Sequence, residues 1–586
     1  MLGKRWSVKR RIVIVCHGGA GMDATTQFST RIVGGLPMVA AYLDEVGIGK
    51  IVDDVVPWQG DVPLGTLVEV FLVNRLLEPK ALYGIGSWAQ KASVTDYYGL
   101  TADQLNDDRL GRALERIAEH GEAVQVPLVI SAIKKFRLKV NQVHYDISNA
   151  ELYGAYERQL ARLEEEASEA SPKPAYGHTK SGRKNVKQIQ FGLNVVRDGA
   201  VPVGHLALDG NAAESPTHLE NLRLLGRVLP KGKRLYTADS KADTPETLLA
   251  IAASQGEFLC AGAFQPHLKK EYLRLRNEME VVDYFPKSQA HRPPEERDQY
   301  QVAEQWDKVE GIVDGRSVCV KYRTIYVWSE AKARQEAKTR ERHVAKIREA
   351  FETVERNLNK YRLKTEEAIV RRLERARSKY REGSLFAYEL KKGRNGQFRL
   401  TWRIDEKARR EQEALEGAYV LKTNLPKKSH AAGDVLAEYK QQIHVERRFR
   451  DLKGPLAVTP TFLEKPERMA GLLYILVWSL MVLSLMERSV RRNLKGKPMY
   501  GIYPENRPSP APTGRSILAC FDDLSIVIIK EHGQRQRRLC DLTPVQQKLV
   551  KLLGIPPNRL RAFKRKCTAQ ATPPAADRKR AGGCGT

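Results

Sequence analysis

The sequence predicts a multidomain α/β protein built on a mixed sheet with flanking helices. Three observations predict it. Apolar, extended segments at 140–148 (VNQVHYDIS), 187–196 (KQIQFGLNVV) and 201–208 (VPVGHLAL) follow one another with no helical pattern assigned between the last two. Two more, at 234–240 (RLYTADS) and 257–264 (EFLCAGAF), are set apart by helical patterns, SPTHLENLRLLGRVL and TPETLLAIAASQG, each opened by a Ser or Thr suited to capping. Three strands followed by alternating helix and strand make a sheet that helices cover. Finally, 586 residues exceed what one compact core accommodates, so several domains are expected.

Along the chain, residues 1–24 form a basic leader whose apolar run is too short for a signal-peptide core. Its Gly-rich CHGGAG (Cys16–Gly21) lacks the GK[ST] ending of a phosphate loop and reads as a plain loop. Residues 25–125 read mainly as short helices punctuated by Gly and Pro, a helical N-terminal domain. The first part of the sheet domain spans 138–264.

An insertion of strands and a long helical hairpin spans 265–412. Within it, a helical stretch from about Ala331 to Arg381 carries Val344, Ile347, Phe351, Val354, Leu358 and Tyr361 at alternating spacings of three and four, a heptad seam. Its charged surface suits either a partner or DNA arm, or a solvated structural hairpin. The sheet domain resumes over 413–490, with a strand at 417–424 and a helix from Gly433 to Pro455. A C-terminal helical region (491–560) and a basic, disordered tail (561–586) follow.

The charge balance, 98 Lys and Arg against 70 Asp and Glu, gives +28 and favours a polyanionic partner, nucleic acid first. Seven scattered cysteines form no CxxC or CxxH motif, which argues against a zinc site or a disulfide framework and for a reducing compartment. One apolar segment, Ala470–Met486, sits at the lower edge of membrane-spanning length; dense flanking charge of both signs favours a buried core helix.

Three segments carry candidate chemistry. In EYKQQIHVERRFRDLKGPL (438–456), Tyr439, Gln442, Glu446, Arg450 and Lys453 fall on one helical stripe beside an apolar stripe of Val445, Phe449, Leu452 and Leu456. That polar row is long enough to follow several phosphates; taken alone, it equally describes a surface helix with ordinary i,i+4 pairing. Asp239 lies where a strand gives way to a loop, a usual place for a functional carboxylate, and its neighbour Asp243 reads as a helix cap or first-turn residue. Asp146 sits within an apolar strand, where a carboxylate needs a cation, a metal or hydrogen bonds unless it points to solvent. Asp209, the other acid upstream, is followed by Gly and Asn and reads as a turn residue. Three carboxylates in the order Asp, Asp, Glu would make a hard oxygen site for Mg²⁺, with two ions able to support in-line attack on a phosphodiester.

Tyr439, Gln442, Glu446 and Lys453 resemble the Y-(2)-R-(3)-E-(6)-K signature of insertion-sequence transposases of the IS-four superfamily. The downstream LAVTPTFLEKPERMAGLLYILVWSLMVL, together with YGHTKSGRKNVKQIQFGL (176–193), LDGNAAESPTH (208–218) and GLPMVAAYLDEVGIGKIVDDVVP, is similar to the IS-sixteen-thirty-four group. The resemblance runs over about residues 30–555. It implies an RNase H-like core interrupted before the glutamate, with Asp146, Asp239 and Glu446 as catalytic metal ligands for Mg²⁺ or Mn²⁺. It also implies Tyr439 and Lys453 on the phosphates of the element end, with Gln442 standing where the signature has arginine and Arg450 on the same row. The expected activity is DNA cleavage at terminal inverted repeats and strand transfer into target DNA, by a homodimer or larger assembly in a prokaryotic cytoplasm, away from membranes. Alternatives are an RNase H-like nuclease that does not join ends, and an inactive DNA-binding relative.

Overall fold

A computed structural model describes residues 27–151, 172–177, 186–286, 289–454, 456, 465–531 and 534–561. The expected basic leader, with its CHGGAG loop, and the tail from 562 lie outside the described residues, as do parts of two family-like segments, at 178–185 and 457–464. The chain divides into two compact units, one made of residues 1–138, 150–189 and 450–586, the other of 139–149 and 190–449.

The first unit joins the two ends of the chain. Gln27–Ile32 pairs antiparallel with Ser525–Glu531, which in turn pairs with Gln534–Leu539. The sequence predicted mainly helices in the first region and no strand in the second; the strands near the C-terminus correct that expectation, and Ile526 and Ile528 supply their buried face. The rest of this unit is helical. Leu64–Leu77 is buried almost all round, and Asn106 caps Asp107–Phe136 by accepting from the Arg109 N–H at 2.9 Å.

The apolar segment is the middle of Pro466–Leu494, a helix long and apolar enough to cross a membrane but buried along 94% of its most apolar window. It crosses Asp107–Phe136 so closely that a Cβ on Gly471 would lie 2.0 Å from the Leu114 carbonyl oxygen. Glu115 binds Arg468 at 2.8 Å and Lys465 at 3.2 Å at the same crossing. This helix belongs with the N-terminal helices, whereas the sequence assigned it to the sheet domain.

The second unit is the mixed sheet. Its strands are β1 (Gln142–Glu151), β2 (Lys187–Val196), β3 (Pro202–Leu208), β4 (Leu235–Ala238), β5 (Glu257–Gly262), β6 (Tyr300–Val313), β7 (Arg316–Ser329) and β8 (Ala418–Thr423). β3 pairs with β2, and neighbours run β2–β1–β4–β5–β8–β7–β6. β1, β4 and β5 are mutually parallel, and the later strands are antiparallel.

Helices α1 (Glu214–Val228) and α2 (Pro245–Ala253) make the crossovers from β3 to β4 and from β4 to β5. Thr244 caps α2 by accepting from the Thr247 N–H. No side chain caps α1, which begins at Glu214, before the expected Ser215. The hairpin β6–β7, expected inside a separate insertion, extends this same sheet through β8.

The remainder of the insertion has a core of its own. Helices Glu330–Arg356 and Glu366–Arg377 pack with the hairpin Phe386–Lys392/Phe398–Ile404 around Phe351, Ile369, Leu373 and Phe386. The heptad seam ends before Tyr361, which is 81% exposed. The final helix is likewise broken: α3 (Ala432–Tyr439) leads through a 3-10 turn at Lys440–Gln442 into α4 (Ile443–Lys453). Val445 and Phe449 are buried, and the Phe449 ring meets Phe191 of β2 edge-on at 5.5 Å.

Candidate active site

β1 and β4 set the position of the two aspartates. Their parallel register pairs Gln142 with Leu235, Val143 with Tyr236 and His144 with Thr237. Two residues beyond the last pair stand Asp146, within β1, and Asp239, just after β4. Both thus lie just past the last paired residues of the two parallel strands, toward the same end of the sheet. Asp146 is half-buried, and its Oδ1 accepts from the Ile147 N–H at 2.8 Å. Asp239 follows the end of β4, where its Oδ1 accepts from the Lys241 N–H at 3.1 Å and its side chain is 45% exposed. Asp209 follows β3, two strands from β1, and its main-chain carbonyl accepts from the Ala212 N–H at 3.0 Å, closing a turn.

The helical segment is fastened over this strand pair by polar side chains. Glu438 on α3 takes hydrogen bonds from Gln142 of β1 and from Arg197, the latter at 2.9 Å. Gln442 donates to the Tyr145 carbonyl at 2.8 Å and faces His144 Nδ1 with its own oxygen at 3.1 Å. Arg448 is buried and donates to the carbonyls of Ala200 and Gly199 at 2.9 and 2.8 Å. One turn beyond Gln442, Glu446 is exposed. The bonds to Tyr145 and His144 bring its helix onto the β1 segment that carries Asp146.

All three carboxylates act on one phenol. Burial raises the Tyr439 pKa first, and the negative charges of Asp239, Asp146 and Glu446 add to it, as does Cys260, so the hydroxyl keeps its proton. Tyr439 is therefore a hydrogen-bond donor facing a negative neighbourhood.

Beneath the aspartates lies a polar layer that no sequence argument selected. His218 on α1 is buried, its Nδ1 2.9 Å from the Tyr236 hydroxyl and its Nε2 4.0 Å from Asp239 Oδ1. The Asn221 amide donates to the same Tyr236 oxygen at 3.2 Å. Burial lowers the His218 pKa to about 4, which keeps the ring neutral. The signal was present in the sequence: Thr217, His218 and Asn221 share the buried face of α1 with Leu224, Leu225 and Val228. Polar residues on a helix's core face require partners.

The residues of the expected DNA-contact row differ in exposure. Gln442 is only 9% exposed and spends both ends of its amide inside the protein, on Tyr145 and His144 of β1. Tyr439 is half-buried, Arg450 exposed and Lys453 half-buried on the last turns of α4. Asp243 is no helix cap: it pairs with Lys422 at 2.8 Å and accepts from the Ala263 N–H at 3.0 Å.

Among the described residues, no three acidic, histidine or cysteine side chains are drawn close enough to cage an ion unaided. Carboxylates are the hard oxygen donors that a divalent cation takes, and both Asp239, just past β4, and Glu446, on α4, are open to solvent.

Among known families, residues 28–126 match a domain of unknown function (DUF4277), a stretch running from the first strand into helix Asp107–Phe136. No curated protein matches the chain.

Proposed function

We propose that this chain is a DDE transposase of the insertion-sequence type, with an RNase H-like core, that cleaves DNA at element ends and transfers the 3′ end to target DNA. The observation that carries this reading is the position of Asp146 on β1 and of Asp239 just past the end of the neighbouring parallel strand β4, with Glu446 one turn beyond the amide bonded to Tyr145. The order β1, β2, β3, α1, β4, α2, β5 also supports it, because the carboxylates then come from the first and fourth strands of the core and from the helix that follows its last strand.

Asp146, Asp239 and Glu446 would hold Mg²⁺, which supplies charge neutralisation at the attacked phosphate and lowers the pKa of a nucleophilic water or hydroxyl. The chain's own groups do the rest. Tyr439 keeps a proton to donate to a phosphate oxygen, and Arg450 and Lys453 continue along α4 as cations for the backbone. The +28 charge favours DNA as the partner.

The test is cleavage and strand transfer by purified protein on DNA carrying the genomic repeats that flank the gene. Mg²⁺ or Mn²⁺ should support turnover, and Asp146→Asn, Asp239→Asn and Glu446→Gln should each abolish it while retaining DNA binding. Cleavage that persists in excess chelator overturns the metal site. Cleavage without any joined product reduces the activity to that of a nuclease.

A further inference from the structure

The insertion module carries a basic groove of about 580 Å³, remote in sequence from the carboxylates and lined by Lys360, Tyr361, Arg362, Arg371, Arg372 and Arg375. Three features set it apart from an ordinary solvated helix face. The first is that, among the described residues, none of these five cations has a carboxylate within ion-pair distance. The module does pair cations elsewhere: Arg377 holds Glu374 at 2.7 Å on the same helix. Glu367 even lies four residues before Arg371, a spacing that permits a bridge, and makes none.

The second is the aromatic ring at the rim. Tyr361 is 81% exposed, although a tyrosine face is apolar surface that folding normally covers. The third is that the turn presenting it is fixed. Asn359 and Tyr361 both adopt left-handed backbone, at φ 65° and 50°, where residues other than glycine are strained. The Asn359 side chain holds that conformation by donating to the Phe398 carbonyl at 2.8 Å and accepting from the Phe398 N–H at 2.7 Å. The ring is thus held out beside five unpaired cations.

We propose that this groove binds single-stranded DNA, stacking a base on Tyr361 while Arg371, Arg372 and Arg375 take the adjoining phosphates. Stacking singles out unpaired nucleotides, because bases within a duplex have no free face to offer, whereas phosphate contacts alone would not discriminate. The inference rests on DNA being the partner under the proposed function, and it assigns the insertion to strands opened or displaced during that chemistry.

The experiment measures fluorescence anisotropy of a labelled 20-nucleotide single strand and of the matching duplex on the full chain, with EDTA present so that no cleavage occurs. Tyr361→Ala should weaken single-strand binding about tenfold, within the range of one stacked base, and change duplex binding less than twofold. Tyr361→Phe should bind like the parent. Arg371→Ala with Arg375→Ala should reduce the slope of log K against log salt on the single strand by about 1.4.

All these residues are exposed, so the fold is retained, which circular dichroism checks. Equal losses on single strand and duplex, or no loss with Tyr361→Ala, would overturn the proposal. So would binding of phosphatidylserine vesicles that the arginine substitutions abolish while single-strand binding stays intact. Because binding is read without turnover, an inactive carboxylate site would leave this result standing. Failure here would likewise leave the cleavage test untouched.

Discussion

The side-chain amide of Gln442 donates to the carbonyl of Tyr145 at 2.8 Å, tying the turn before α4 to the residue that precedes Asp146. The same amide's oxygen lies 3.1 Å from His144. This one side chain therefore sets the relation between the strand carrying one carboxylate and the helix carrying another. Gln442→Leu removes both contacts in a buried place and should destabilise the protein by about 2 kcal/mol, the cost of leaving such groups unpaired. Gln442→Arg, which restores the signature residue, should also lower the denaturation midpoint, because it puts a cation beside His144 at a position only 9% exposed. Urea unfolding of both variants checks this. An arginine variant as stable as the parent would mean that the side chain can swing out to solvent.

Gly192 on β2 admits the Tyr145 ring: a Cβ there would lie 2.2 Å from the phenolic oxygen and 2.6 Å from two ring carbons. Tyr145 is fully buried, so its ring cannot swing into solvent. Gly192→Ala should cost about 1–3 kcal/mol by overpacking. Under the proposed function it should also reduce cleavage beyond the loss of folded protein, since Tyr145 adjoins Asp146. Activity per folded molecule, measured at a temperature where both proteins are native, separates the two effects. Unchanged specific activity would show that the displacement does not reach the aspartate.

These two residues show where the sequence was legible. β1 to β5 and β8 could be read because each is a short, largely apolar run bounded by turn residues, and Thr244 could be read as a cap because it precedes Pro245 and a helical pattern. Asp146 and Asp239 stood out as acids in or beside apolar strands. What pairing at long range decides could not be read. The alternation in Gln27–Ile32 acquires its meaning from Ser525–Glu531, some 500 residues away. The role of Gln442 depends on Tyr145, and a regular helical wheel through Lys440–Gln442 ignores the 3-10 turn that redirects it. The heptad spacing continued to Tyr361 in sequence, but the left-handed backbone at Asn359 takes that residue off the seam.

His205, within β3, is 3% exposed, and burial lowers its pKa to about 3. The native ring therefore stays neutral while the unfolded chain takes up a proton near pH 6.5. Between those values the unfolded state binds more protons, so stability is full above about pH 6.5 and is lost as the pH falls toward 3. From pH 8 to pH 5 this one ring should remove about 2 kcal/mol. His205→Leu should reduce the pH dependence by that amount, read from urea midpoints at both pH values. An undiminished dependence would assign the effect to other groups.

The last prediction concerns His218 and, under the proposed function, the metal requirement. The Asn221 amide donates to the Tyr236 hydroxyl oxygen, which leaves the Tyr236 proton to be donated to His218 Nδ1 at 2.9 Å. That arrangement puts the ring's own proton on Nε2, the nitrogen 4.0 Å from Asp239 Oδ1. At 4.0 Å the two make no hydrogen bond, but a neutral donor this near a carboxylate can hold its orientation once a bound metal draws the two together, the way outer groups hold metal-ligating carboxylates. His218 is thus a positioning residue, and its loss should be felt as a change in metal affinity. His218→Phe keeps the buried ring and removes the donor. It should raise the Mg²⁺ concentration for half-maximal cleavage about 10–100-fold, with DNA affinity unchanged. His218→Gln, which can again offer an N–H toward Asp239, should recover part of that loss. Mg²⁺ titrations of single-turnover cleavage, run beside thermal unfolding, distinguish this from a packing role, which would lower Tm in both variants and leave the Mg²⁺ midpoint where it was.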